Sequence, residues 1–278
     1  MTATAPVVEI PTIAEPPSGR IWLLRDSWTE ASRHLKALPR NPELLVFAAL
    51  QPIMFVVLFV YVFGGALGAG VTPGGGQEEY LEFVVPGILL TTVAGLMGGT
   101  AIGVSMDMHE GIVARFRSMS ISRGAVLAGH VWGSIIQGFL ALIFVMGTAL
   151  LIGFRPNATP LDWLALVGVL GLIMFALVWL AVGMGMQAKS VETASNLPLP
   201  FLLLPFLGAG FVPTDTMPEW LQVFAEWQPF TPFIQTVRSL LLGTPMENYG
   251  WLTIAWSILI AVGGYVWSRL LYARKSVK

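Results

Sequence analysis

The sequence predicts an all-α, polytopic membrane protein. It should have six transmembrane helices, an N-terminal amphipathic interfacial helix, and short re-entrant helices between spans five and six. Three observations carry this. Of 278 residues, 55% are apolar and 11% charged, where soluble domains average roughly 45–50% and 25%. Six stretches along the chain contain no Asp, Glu, Lys or Arg. With six spans, thirteen Lys and Arg fall on one face of the membrane and two, Arg155 and Arg238, on the other. The positive-inside bias then places both termini in the cytoplasm, as for a multi-pass protein of the cytoplasmic membrane.

Residues 1–19 hold four prolines and neither Lys nor Arg. A signal peptide needs a basic start and an apolar centre, so this segment reads as a disordered cytoplasmic tail. Over 20–38, Ile21, Leu24, Trp28, Ala31, Leu35 and Leu38 recur every three or four residues, with Arg25, Asp26, Glu30, Arg33 and Lys36 off that stripe. The pattern is an amphipathic helix; its Trp and basic residues suit the headgroup plane, with membrane lipid as its partner, and the alternative is a soluble helix packed on a partner. Pro39 and Pro42 form an elbow before the six-span domain, 39–278.

The expected spans are 44–63, 83–106, 125–154, 163–188, 197–212 and 251–268. Twenty apolar residues suffice to cross a hydrocarbon core of about 30 Å. Pro52 should kink the first span by removing a backbone donor. Gly64 to Glu82 is Gly-rich, with three acids and no base, and reads as loop. The fifth stretch contains Pro198, Pro200 and Pro205, which would leave carbonyls without intrahelical partners. Such a helix is tolerable only against protein or water.

Between spans five and six, Thr216 followed by Glu219 forms a T-x-x-E capping box, with Pro218 in the first turn of a helix ending near Trp227 at Pro229. Thr231 caps a second helix, with Pro232 at its first position, that runs to about Leu242 before Gly243. Both are too short to span. They fit either a re-entrant hairpin in the outer leaflet, with Trp220 and Phe224 as its aromatics, or two helices on the outer surface.

Much chemistry is missing. A net charge of −1 leaves no basic stripe for nucleic acid. The absence of cysteine excludes disulfides, thiolate catalysis and thiolate metal sites. No phosphate loop of the form G-x-x-x-x-G-K-[ST] occurs, so the chain binds no nucleotide by that route. His34, His109 and His130 are far apart, with no H-x-x-x-H pair, and predict no metal site. The span interiors hold essentially no ionisable group of the kind that couples transport to protons, and no nucleophile or base for an intramembrane enzyme. Ser105 reads as a small packing residue. Gln51, Gln137 and Gln187 fit either a polar path or interhelical glue. Phe55, Phe59 and Phe63 repeat at i, i+4 and i+8, as a path-lining stripe or as packing.

The polar island 107–124 is the remaining feature. It combines Asp107 and Glu110 with Arg115, Phe116, Arg117, Met119 and Arg123, and reads either as an interfacial helix facing a soluble partner or as a solvated loop. Two motifs bear on the choice. E-G-x-x-x-R-F-R-S-M-x-I-S-R follows span two, and F-V-P-x-x-x-M-P-x-W-L-Q-x-F-A-x-x-x-P-x-T-P follows span five. Together with the amphipathic helix and six spans, they resemble the type-2 ABC exporter permeases, most closely the daunorubicin-resistance branch, over essentially the whole chain from Arg20. The resemblance implies that Glu110, Gly111, Arg115, Phe116 and Arg117 form a coupling helix docking on a separate cytoplasmic ATP-binding subunit, which would bind ATP and Mg. Ser120 stands where relatives often have proline. The segment 211–238 would then carry the family's re-entrant helices, with Pro218, Trp220, Phe224, Pro229 and Pro232 at the outer gate. Two permease subunits, identical or related, would enclose a path, with Phe55, Phe59, Met97, Gln137 and Phe201 as its candidate lining. The expected cargo is a hydrophobic or amphipathic compound, moved outward. A polysaccharide or glycolipid is the alternative, and it would want a continuous aromatic belt.

Overall fold

A computed structural model describes residues 42–71, 74–109 and 123–275, with side chains over 50–71, 74–109 and 127–272. The tail 1–19, the amphipathic helix 20–38 and the island residues 110–122 lie outside the described residues. Those described form helices and turns and include no strand. Five helices are long and apolar enough to cross a membrane: Leu50–Val71, Gln77–His109, Leu127–Ile152, Pro160–Gln187 and Tyr249–Tyr272.

The first begins as α1 (Pro42–Val57). It runs through Pro52 and is followed by a π-helical stretch, Leu58–Phe63. The chain continues as α2 (Gly64–Val71), and α3 (Gln77–His109) starts at once after a short turn. The expected loop 64–82 is therefore mostly helix. Its glycines serve close approach instead: a Cβ on Gly68 would collide with the Gly76 backbone, so only glycine lets α2 come this near to the start of α3. The Gly76 N–H donates to Glu79 Oε2 at 2.7 Å, capping the start of α3.

The 33 residues of α3 amount to about 50 Å of helix, more than a hydrocarbon core requires. It is the centre of the bundle. Its most apolar window is 72% buried inside the protein, against 22% for the first spanning helix and 17% for the last. Around it pack α4 (Arg123–Ile152) and α5 (Pro160–Gln187), while α10 (Tyr249–Lys275) lies chiefly on α5. The start of α5 is fixed by a capping box. Asp162 N–H donates to Thr159 Oγ1 at 3.3 Å, Thr159 N–H donates to Asp162 Oδ2 at 2.8 Å, and Pro160 opens the helix.

The stretch 197–212 is not one spanning helix. It consists of a turn that follows α6 (Val191–Asn196), the five-residue α7 (Leu199–Leu203) and a run of turns to residue 212. Pro198, Pro200 and Pro205 each lack the N–H that would extend the ladder. The exposed carbonyls find side-chain donors instead. Leu204 O accepts from Gln228 Nε2 at 3.1 Å, Ala209 O from Arg238 Nη2 at 2.7 Å and Phe211 O from the Tyr80 hydroxyl at 3.1 Å.

Beyond it, α8 (Glu219–Trp227) and α9 (Phe230–Leu242) end where the sequence places them, with Gly243 in the left-handed region at φ 69°. Their starts differ. Pro218 is the N-cap of α8, without a side-chain cap bond, and the Thr216 hydroxyl donates to Pro213 O at 2.8 Å within a 3-10 turn. Pro229 is the N-cap of α9, which leaves Thr231 and Pro232 inside its first turn.

Candidate functional site

A cavity of about 200 Å³ opens midway along α3 and α4, walled by Gln51, Pro52 and Phe55 of α1 and by Leu202 of α7. From α3 it takes Thr91, Thr92, Gly95, Leu96, Gly99 and Thr100, and from α4 Ser134, Gln137 and Ala141. Among the described residues that line it, none is ionisable. A helix interior leaves its own carbonyls as the nearest acceptors for hydroxyls, and three threonines use them. Thr91 donates to Gly87 O at 2.9 Å, Thr92 to Ile88 O at 2.8 Å and Thr100 to Leu96 O at 2.9 Å. Thr100 Oγ1 also lies 2.8 Å from Ser134 Oγ, joining α3 to α4. The amides of Gln51 and Gln137 have no hydrogen-bond partner among the described residues.

The aromatic stripe of α1 meets the broken segment. Phe55 packs edge-on to Phe206 at 5.7 Å, Phe59 lies 4.6 Å from Phe211, and Phe206 stacks on Phe211 at 4.3 Å. Behind these rings the backbone of α3 touches the broken segment directly. A Cβ on Gly87 would run into the Gly210 carbonyl, so only glycine admits this approach.

The pair α8 and α9 has a buried arm and an exposed one. Most of α9 is buried, including Phe230, Phe233, Ile234 and Val237, whereas Trp220 and Trp227 of α8 are 75% and 77% exposed. Arg238 is the buried tie. Its Nη2 donates to Phe83 O at 2.9 Å as well as to Ala209 O, its Nη1 donates to Gln235 Oε1 at 2.9 Å, and its guanidinium lies 4.0 Å over the Phe83 ring. Burial without a carboxylate partner pulls its pKa down from 12.5 to about 10. Thr231 closes the junction: its hydroxyl donates to Ala225 O and accepts from Ala209 N–H at 3.3 Å and from Gln228 Nε2 at 3.3 Å.

Of the residues singled out from sequence, Phe55 and Gln137 line the cavity and Phe59 packs beside it on Phe211. Met97 is fully buried in the core, and Phe201 is half-buried, with its neighbour Leu202 in the cavity wall instead. Gln187 is exposed at the end of α5. Trp220 and Phe224 are exposed on α8, Pro218 and Pro229 cap α8 and α9, and Pro232 O accepts from the Thr253 hydroxyl at 2.9 Å. Glu110, Gly111, Arg115, Phe116 and Arg117 lie outside the described residues. At the edge of that island, Asp107 Oδ2 and His130 Nε2 are 2.7 Å apart and join the ends of α3 and α4. Sequence reasoning passed over this pair, along with Tyr80, Gln228 and the threonines. The two residues flank the same loop, which was the one available hint.

Comparison with known proteins bears on what this arrangement serves. Residues 26–242 match the ABC-2 type transporter family. The daunorubicin resistance ABC transporter permease protein DrrB1 of Streptomyces coeruleorubidus is 30% identical over 217 residues, covering 78% of this chain and 75% of that protein. A probable doxorubicin resistance ABC transporter permease protein, DrrC of Mycobacterium tuberculosis, is 26% identical over 222 residues, 78% and 77% of the two chains. The putative transport permease ycf38 of Porphyra purpurea is 25% identical over 260 residues, 84% of each.

Proposed function

The chain belongs to the ABC-2 type transporter family, and from that premise we propose that it is the permease subunit of an ATP-driven exporter of hydrophobic or amphipathic compounds. The observation that carries the reading is a cavity at mid-depth whose described lining holds no ionisable side chain, in a chain with no phosphate loop. A path of that kind has nothing of its own to couple to protons or nucleotide. The driving force then comes from a cytoplasmic ATP-binding cassette subunit, which holds the ATP and Mg.

In this account Glu110, Gly111, Arg115, Phe116 and Arg117 receive the push of that subunit on the cytoplasmic face, where both termini also lie. The His130–Asp107 contact joins the two helices that flank them. A second permease subunit covers the little-buried face of the first spanning helix. The broken stretch 197–212 serves as a fifth, discontinuous span, and α8 and α9 form a re-entrant gate in the outer leaflet, with Trp220 and Trp227 at the interface where such rings are enriched. Closure of the ATPases rocks the paired subunits and turns the cavity outward.

Doxorubicin-like amphiphiles, which the names of two relatives bring forward, are the first cargo to try. The test is ATP-dependent accumulation of doxorubicin in inverted vesicles carrying the chain together with its cassette ATPase partner. Accumulation with both and with neither alone is the expected result; accumulation without the ATPase overturns the reading.

A further inference from the structure

The chemistry of the cavity wall goes one step further, resting on the export reading above. Among the described residues Gln51, Thr91, Thr92, Thr100, Ser134 and Gln137 supply its polar side chains, and none of these is charged. Thr91, Thr92 and Thr100 spend their protons on carbonyls of their own helix, so they face the cavity as acceptors. With the Thr100 proton on Leu96 O, the 2.8 Å contact to Ser134 is a donation from Ser134, which likewise leaves an acceptor. The amides of Gln51 and Gln137 offer both donors and acceptors, and no protein group among the described residues takes them. Gln51 is exposed and Gln137 half-buried, so both amides are open to a molecule that enters the cavity and can bond to them.

What fits is set by charge. Against the described wall a cationic amine leaving water finds dipoles and no carboxylate, and an anion finds two amides as donors; neither meets a counter-charge there. A neutral molecule bearing hydroxyl and carbonyl groups can satisfy both amides and the hydroxyl acceptors at once. The volume, about 200 Å³, is below the roughly 300–1,000 Å³ of drug-sized pockets, so the site takes the polar portion of a cargo whose remainder lies outside it. We propose that this cavity selects uncharged amphiphiles carrying hydroxyl and carbonyl groups, with Gln51 and Gln137 as the specificity-determining residues.

The experiment uses the assembled permease–ATPase complex in lipid nanodiscs and two probes: doxorubicin, and its analogue with the sugar ammonium replaced by a hydroxyl. Binding is read from probe fluorescence and ATP-driven uptake from vesicles. The neutral analogue should bind about tenfold tighter, the cost of one unmatched polar group, and Gln51→Glu should remove or reverse that preference. Gln137→Glu repeats the test from the opposite wall, so that one poorly folding variant does not decide the matter. Equal binding of the two probes, tighter binding of the ammonium form, or a preference indifferent to both substitutions overturns the selectivity while ATP-driven uptake leaves the export reading standing. Absence of ATP-driven uptake for both probes removes the export reading and this inference with it.

Discussion

Replacing Arg238 with Met tests how the broken segment is held. The side chain keeps most of its volume and loses every donor. Phe83 O and Ala209 O, both now served by Nη2, become unsatisfied at about 1–3 kcal/mol each. Loss of the guanidinium over the Phe83 ring removes about 1–2 kcal/mol more. Against this, the buried ion is itself unfavourable. A pKa drawn from 12.5 to about 10 corresponds to about 3 kcal/mol of desolvation, present at neutral pH because the group is still protonated there, and relieved by Met. The net is about 2 kcal/mol in favour of Arg, or about thirtyfold in the population of an opened segment. The chain has no cysteine, so Ala209→Cys, at a site 2% exposed, gives a single thiol whose labelling rate follows opening. Labelling should rise about thirtyfold in the Arg238→Met background and less in Arg238→Lys, which keeps the charge but not the fork of donors. An unchanged rate in Arg238→Met refutes the reasoning, because the carbonyls would then not depend on this side chain.

Two further outcomes follow from neighbouring contacts. Gly87→Ala drives a Cβ into the Gly210 carbonyl and should lower the stability of the purified protein by about 1–3 kcal/mol, whereas Gly98→Ala, which meets nothing within 4 Å, should leave the thermal midpoint in place. Thr231→Val removes a donor to Ala225 O and an acceptor for Ala209 N–H and Gln228; a loss of about 2 kcal/mol, read as faster proteolysis or exchange around 225–231, is expected, with Thr231→Ser retaining most of the stability.

Much of this fold is legible in the sequence because membrane helices are written as uncharged runs. The spanning helices start and stop within a few residues of the charges that flank those runs, as Gln77–His109 does around 83–106. The ends of α8 and α9 at Trp227 and Leu242 are equally plain, since Pro229 and Gly243 punctuate the chain locally. What fails is anything decided at long range. Thr231 looks like a helix cap, yet its hydroxyl is drawn to Ala225, Gln228 and Ala209. Arg238 looks like an outer-face cation, but one of its acceptors is 155 residues away. Prolines mark 197–212 as troubled without saying that Tyr80, Gln228 and Arg238 would cap its carbonyls. In the cavity, Gln51, Phe55 and Gln137 stand out from sequence by polarity or periodicity. The threonines do not, because a hydroxyl bonded to its own helix looks the same whether it faces a cavity or a core.

The central claim is that force enters this chain through the loop after the second span, from a separate ATPase. Arg115→Glu and Phe116→Ala test it directly when recruitment of the cassette ATPase and ATP-driven export are both measured on membranes containing equal amounts of inserted protein. The account predicts that insertion survives while recruitment and export are lost; normal recruitment and export in both variants would contradict it.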